Sequence, residues 1–419
     1  MSWLGGPLDV GGLAVDAVRS ALEAAAELAE ARGLGRPAVS LSEEHVAVSF
    51  TSERHATVRG EPSGAGFAPL SRMVRCRDGW ARTHANYAHH EAALRRALGI
   101  GADVAELEAA AAAMRAVELE EAIVGAGGCA AALRTEAEWA AHPAGAALAG
   151  TSLPGWPGAA SVARRDLAAR AAATRARPAA GMRVLDLTRV IAGPVAGRTL
   201  AALGAEVLRI DPPVLPEMPE AHLDTGPGKR SAFLDLADAE RREALLVGAD
   251  VLLTGYRPGA LDRFGLDGRP GLVHVSLSAW GTAGPWAGRR GFDSLVQVAS
   301  GIAAACAAGD GTPGVLPAQA LDHGTGHLMA AAALRGLAAR ERGERRPGRA
   351  SLSLARTAAE LLARPRSDDA AARTPDPDHF RISFGDVSLI APPGELDGEP
   401  LAWAHGPRPL GGDDPAWGA

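Results

Sequence analysis

Val184-Leu185-Asp186-Leu187, Glu206-Val207-Leu208-Arg209-Ile210, Ala232-Phe233-Leu234-Asp235-Leu236, Asp250-Val251-Leu252-Leu253 and Leu272-Val273-His274-Val275-Ser276 are five short apolar runs separated by helical or loop segments. Runs this brief and this continuously hydrophobic predict strands buried on both faces. Buried strands linked by helices make a parallel sheet, so the region 182–276 reads as an α/β domain. Two helical stretches follow, over about 293–306 and 324–342, and then a further strand-like run, Ser351-Leu352-Ser353-Leu354.

Upstream, an Ala/Leu/Glu-rich helix is expected over 13–33, stopped by glycines at 33–36 and followed by a strand at Val39-Ser40-Leu41. Strand ends flank the Asp78-Gly79 turn, and three or four helices run from about 86 to 141. The Gly/Pro-rich segment 150–158 and the Ala/Arg-rich stretch to 178 read as a linker. The charged segment 365–379 reads as a second linker, and the Pro-rich tail holds one expected strand.

Composition narrows the function. With 419 residues, 47% hydrophobic and 22% charged, the chain can bury a sizeable core. A net charge of −6 gives no support to nucleic-acid binding. No run is long and apolar enough to span a membrane, and the first residues lack the pattern of a signal peptide, so a cytoplasmic protein is expected. Three dispersed cysteines (Cys76, Cys129, Cys306) make neither a disulfide framework nor a Cys-rich zinc site. His84, His89, His90 and Glu91 fit no standard zinc spacing and read as a surface helix, so no metal is expected. No Gly-x-Ser-x-Gly elbow occurs. Among 43 basic residues, Lys229 is the single lysine.

Three motifs carry possible chemistry. Arg189-Val190-Ile191-Ala192-Gly193-Pro194-Val195-Ala196-Gly197 places a Gly-Pro at a strand-to-helix junction, where backbone N–H groups can meet an anion. Its glycine spacing is not the dinucleotide fingerprint, and two prolines after Asp211 argue further against a nicotinamide cofactor. Gly228-Lys229-Arg230-Ser231 could pair with phosphate or be an ordinary solvated pair of cations. Asp322, in Leu321-Asp322-His323-Gly324-Thr325-Gly326-His327, could cap a helix or attack an activated carbonyl.

An internal repeat adds a second aspartate. Leu8-Asp9-Val10-Gly11 aligns with Leu321-Asp322-His323-Gly324, and without a gap Gly35-Arg36 aligns with Gly348-Arg349 and Ser40-Leu41 with Ser353-Leu354.

Taken together, the sequence resembles the class III coenzyme A transferases, the family of formyl-CoA transferase and the carnitine CoA-transferases. The resemblance rests on 184–194, 203–213, Gly228-Lys229-Arg230-Ser231, 256–265, and Gly291-Phe292-Asp293 with Asp322, in the family's order across roughly 182–355. It implies a Rossmann-like large domain with a smaller α+β domain and an interlaced homodimer or tandem pseudo-dimer. It also implies an acyl-CoA:carboxylate CoA-transferase with small-molecule acyl-CoA and carboxylate substrates, and no cofactor beyond coenzyme A as substrate.

By the same resemblance Asp322 is the nucleophile that forms an aspartyl anhydride and an aspartyl-CoA thioester. Val190, Ala192, Lys229, Tyr256 and Arg263 lie along CoA. Asp9 is a possible second or replacement nucleophile. The family's 2-methylacyl-CoA racemases carry a histidine where this chain has Phe292, which favours transfer. A non-catalytic CoA-binding relative is the other alternative.

The implied organisation is a half-repeat of the nucleophile helix and its strand at 1–50, a small α+β domain at 51–150, a linker at 151–180, the CoA-binding domain at 181–365, and a linker and tail at 366–419. The chain then reads as the C-terminal half of one transferase copy fused ahead of a second copy that lacks its small domain.

Overall fold

The computed structural model describes residues 3–64, 66–150, 172–266, 268–344, 349–366 and 373–418. Most of the first expected linker, Gly348 of the repeat and part of the second linker lie outside the described residues.

The chain opens with helix α1 (Val10–Ala31), which starts three residues earlier than expected because Asp9 caps it. The Asp9 side chain accepts the Gly12 N–H at 2.9 Å. An antiparallel sheet of β1 (Met73–Arg75), β2 (Trp80–Thr83) and β3 (Ala130–Ala132) follows, with helix α2 (Ala88–Leu98) between β2 and β3. Leu94, Leu107, Leu119 and Ile123, all fully buried, give this part its own small core.

Four of the five apolar runs form strands where expected, the third strand begins at Lys229 and keeps only Ala232 and Phe233 of its run, and the run near 351 supplies a sixth. They are β4 (Arg183–Leu187), β5 (Glu206–Asp211), β6 (Lys229–Phe233), β7 (Val251–Thr254), β8 (Val273–Ser278) and β9 (Arg349–Ser353). All five pairings are parallel, in the spatial order β9-β8-β7-β4-β5-β6. The expectation of an α/β fold built on a parallel sheet is met. Helix α3 (Ala192–Ala202) carries the crossover from β4 to β5.

This is the doubly wound order, in which the direction of winding reverses between β4 and β7. The loops leaving those two strands splay apart and open a crevice at the carboxyl end of the sheet. Val190 lies in the first loop and Tyr256 in the second.

The expected helix over 293–306 is two helices. Helix α4 (Asp293–Ala299) ends before Gly301, whose φ of +98° breaks the run, and residues 302–305 make a separate turn of helix. Helix α5 (Ala320–Glu341) carries Asp322 and packs along α1, and helix α6 (Leu354–Ala363) follows β9. Both α1 and α5 span 22 residues.

Among the described residues the tail forms four strands rather than one. Arg381–Phe384 pairs with Val387–Ile390, which also pairs with Thr57–Val58, while Glu395–Leu396 pairs with Val39–Ser40. Partners this remote in sequence leave no local periodic signal.

Candidate functional site

Helix α5 begins without a side-chain cap of its own, since Gln319 provides none. The missing acceptor comes from Asp293, the first residue of α4, whose Oδ2 takes the Asp322 N–H at 2.9 Å. Gln297, one turn later on α4, donates to the other carboxylate oxygen and accepts the Leu316 N–H at 2.9 Å. Asp322 is therefore not an N-cap. It sits inside the first turn, held by a second carboxylate from a neighbouring helix.

That placement sets the electrostatics. Asp322 is 7% exposed. Burial first, then the adjacent Asp293 and Glu53, push its carboxyl well above the ordinary carboxylate range. Burial raises Asp293 to about 6, although its hydrogen bonds from Gln297 and the Asp322 backbone pull the other way. Glu53 goes in the opposite direction. Burial would raise it, and the His323 hydrogen bond (3.2 Å) overrides that and holds it low.

Asp322 lines two cavities at once. The first, about 290 Å³, also touches Val190, Ala192, Tyr256, Arg189, Arg257 and Arg290. Arg189 donates to the Pro216 carbonyl at 2.8 Å, Arg257 to Gly288 at 3.3 Å and Arg290 to Gly127 at 3.1 Å. Among the described residues none of these three pairs with a carboxylate within 4 Å, so the cavity carries unneutralised positive charge. It shares Tyr256, Arg257, Leu277 and Ser278 with a further hollow of about 180 Å³ over the ends of β7 and β8. Together they make a trough at the switch point of the sheet. The second cavity, about 370 Å³, lies on the other side of Tyr87, Val190 and Phe292, and it is lined by Phe67, Ile191, Met218 and Ala221 among others.

The wall between the cavities is fixed by one buried carboxylate. Glu217 accepts the Val190 N–H at 2.6 Å and the Tyr87 hydroxyl at 2.6 Å, and pairs with Arg209 at 3.2 Å. Val190 is thereby held at a φ of +69°, unusual for a β-branched residue. Arg209 is in turn closed by Asp211 at 2.7 Å, so no charge in the network is left alone.

Close approach of α5 to α3 needs glycine. A Cβ on Gly326 would stand 2.5 Å from the Ala192 carbonyl and 2.8 Å from the Val195 side chain.

Of the residues singled out from sequence, the first cavity gathers Val190, Ala192, Tyr256 and Asp322. Arg263 stays outside the cavities, exposed in a short 3₁₀ turn with its guanidinium over Phe264. Lys229, the first residue of β6, is sealed between the sheet and α3. It has no exposed surface, and its ammonium donates to Asp186 at 2.9 Å and to the Pro194 carbonyl at 2.8 Å. The choice between a phosphate ligand and a solvated pair thus resolves as neither.

Asp9 also lies outside the site, where it caps α1 and pairs with Arg364 at 3.2 Å. Setting the two 22-residue helices end to end places Gly12, not Asp9, opposite Asp322, and Asp9 opposite Gln319.

The histidine group is not a surface helix. His84 and His90 are each 4% exposed, and His84 stacks on Phe292 with ring centroids 3.7 Å apart. Burial drops both imidazoles to about 3, so they are neutral. Among the described residues no group of three His, Cys, Asp or Glu side chains is arranged to hold a metal ion. No helix among them is long and apolar enough to cross a membrane.

Sequence reading missed Glu53, Phe67, Tyr87 and Glu217. Tyr87 and Phe67 sit in the small α+β part, and Tyr87 is tied to the sheet region by its hydrogen bond to Glu217, 130 residues downstream, and by Arg189 over its ring.

Comparison with known proteins matches residues 179–378 to the family model described as CoA-transferase family III. A probable fatty acyl-CoA transferase of Mycobacterium tuberculosis is 35% identical over 189 residues, which are 40% of this chain and 48% of that protein. The succinate–glutarate CoA-transferase of Agrobacterium fabrum is 33% identical over 168 residues, 33% of this chain and 42% of its own. A crystal structure of a hypothetical protein from Mycobacterium tuberculosis is 33% identical, with a TM-score of 0.42 over 45% of this chain and 57% of that one. The chain spans less than half the length of these curated relatives.

Proposed function

We propose that this chain, whose residues 179–378 form a CoA-transferase family III region, is an acyl-CoA:carboxylate CoA-transferase working through covalent intermediates on Asp322. The observation that carries the reading is the position of Asp322, a buried carboxylate at the junction of a cationic trough and a largely apolar cavity whose lining also includes carboxylates.

In the proposed reaction, CoA lies along the trough. Its phosphates face Arg189, Arg257 and Arg290, and Val190, Ala192 and Tyr256 pack against it. The acyl group enters the second cavity, which puts the thioester carbonyl at Asp322. The ionised Asp322 carboxylate attacks that carbon, the C–S bond breaks, and CoA thiolate leaves a mixed anhydride on the protein. The thiolate then attacks the aspartyl carbonyl, releasing the acyl group as a free carboxylate and leaving an aspartyl-CoA thioester. An incoming carboxylate attacks this thioester and expels the thiolate. The thiolate takes the new acyl carbon and restores the Asp322 carboxylate. No net proton is consumed, so the site needs no general acid. The neutral His84 and His90 are consistent with that.

Poor solvation supports the nucleophile. A carboxylate with little water and a neighbouring negative charge is raised in energy as a ground state, and attack relieves both penalties.

The half-repeat supports a tandem pseudo-dimer, because α1 packs along α5 within one chain.

The test is trapping. Incubation with acyl-CoA followed by hydroxylamine or borohydride and peptide mass mapping is expected to mark Asp322, with Asp322→Asn losing the label and Asp9→Asn keeping it. A label confined to Asp9, or none with any donor, would end this reading.

A further inference from the structure

The two cavities that meet at Asp322 are opposite in charge. The trough holds three arginines without carboxylate partners among the described residues. The second cavity is lined by the carboxylates of Glu53, Glu220, Asp224 and Asp293. Its one cationic lining residue, Arg54, already lies 3.6 Å from Glu53. Asp224 is taken by Arg198 at 2.9 Å, behind the cavity wall. The rest of the surface is mainly aromatic and aliphatic, with Phe67, Ile191, Met218 and Phe292.

This asymmetry orients any acyl-CoA, because its diphosphate is repelled from the acidic cavity and held by the trough. It also says what the far end of the acyl group can be. A second carboxylate placed there would leave water and face Glu220 and Asp293, with no unpaired cation among the described lining residues; the guanidinium of Arg82 stacks on Phe67, 4.5 Å from the ring, and is not part of that lining. A hydrocarbon end loses nothing and gains burial of its apolar surface.

We infer that this chain, read as a CoA-transferase, selects monocarboxylic acids with an uncharged hydrocarbon acyl group and rejects dicarboxylic acids, with the acidic lining of the Phe67–Phe292 cavity as the discriminating element. The Agrobacterium fabrum relative, by contrast, carries the name of two dicarboxylic acids. Rejection by like charge is a negative element, and it needs no new contact to the favoured substrate.

The test reads binding alone, so it does not depend on turnover. The full-length chain is titrated calorimetrically with two inert thioethers, S-pentyl-CoA and S-(4-carboxybutyl)-CoA. S-pentyl-CoA is expected to bind at least about tenfold more tightly, which corresponds to roughly 1.4 kcal/mol. Glu220 is exposed, so Glu220→Lys is expected to fold, and it should narrow the ratio to within about threefold. Equal affinity in the parent, tighter binding of the carboxylated probe, no binding of either, or a ratio unmoved by Glu220→Lys would each overturn the inference. If the ratio holds while no donor gives transfer or a label on Asp322, the transferase reading falls and the selectivity stands.

Discussion

The backbone N–H of Asp322 donates to the carboxylate of Asp293 at 2.9 Å, so the residue that opens α4 caps the helix carrying the candidate nucleophile. One carboxylate thus positions the other and raises its energy, since Asp293 is among the causes that lift Asp322.

A pH effect follows from this pair. Asp293 is raised from 3.8 to about 6, so the folded chain holds that proton more tightly than the unfolded chain does. The associated stability is complete below pH 4 and is lost as pH rises through about 6, on the order of 2–3 kcal/mol. Thermal melts of the parent between pH 4.5 and 7.5 should show this fall, and Asp293→Asn should flatten it. With one negative charge gone, the Asp322 carboxyl should also ionise at lower pH. The acid limb of kcat/KM in Asp293→Asn then moves down the pH scale. An unmoved limb would show that Asp293 does not act on Asp322.

The lone lysine has a structural role here. Lys229 and Asp186 are both fully buried, and burial lowers the ammonium to about 8 despite its partner. Lys229→Ala should cost about 3–5 kcal/mol by leaving Asp186 unpaired, read by denaturant unfolding. Lys229→Arg should also destabilise, because the space beside Gly197 is closed: a Cβ there would lie 2.7 Å from Nζ. CoA affinity of the folded fraction should not change in either variant. A loss of CoA affinity without loss of stability would restore the nucleotide contact expected from sequence.

Gly326 sets the distance between α5, which carries the candidate nucleophile, and α3. Gly326→Ala forces the Ala192 carbonyl and Val195 to move. The expected outcome is a loss of about 1–3 kcal/mol by denaturant unfolding and a lower kcat in any donor–acceptor assay. Gly265→Ala, where no atom lies within 4 Å but φ is +59°, is the control for backbone strain alone.

The partition between the cavities depends on Tyr87 and Glu217. Tyr87→Phe keeps the ring and removes the hydroxyl that Glu217 accepts at 2.6 Å. It should cost about 1–2 kcal/mol and raise KM more than it lowers kcat, because it loosens the Val190 loop without touching Asp322, the proposed nucleophile. An unchanged KM would show that Glu217 holds the loop unaided.

Much of the fold was legible locally. The apolar runs of β4, β5, β7 and β8 are continuous because those strands are covered on both faces. Asp322 and Val190 stood out because glycines and a proline surround them. The tail strands were not legible, since Glu395 pairs with Ser40 and Ser388 with Thr57, and neither pairing leaves a periodic trace. The histidine group was misread for a related reason: burial of His84 depends on Phe292, more than 200 residues away.

The repeat shows the same limit at one residue. It matched Asp9 to Asp322, yet the helices start in register only if Gln319 faces Asp9. What distinguishes the two aspartates is the neighbour each meets, Arg364 in one case and Asp293 in the other.

By itself, the sequence determined the main helices and the parallel sheet of 182–354, because hydrophobic period and turn chemistry are local properties, whereas the strand order that opens the crevice came only with the fold. Only the tertiary structure decided which charges are satisfied. It buried Lys229 against Asp186, left Arg189, Arg257 and Arg290 facing the trough, and set Asp293 beside Asp322. Charge pairing depends on distance in space and on exclusion of water, and neither is written in residue order.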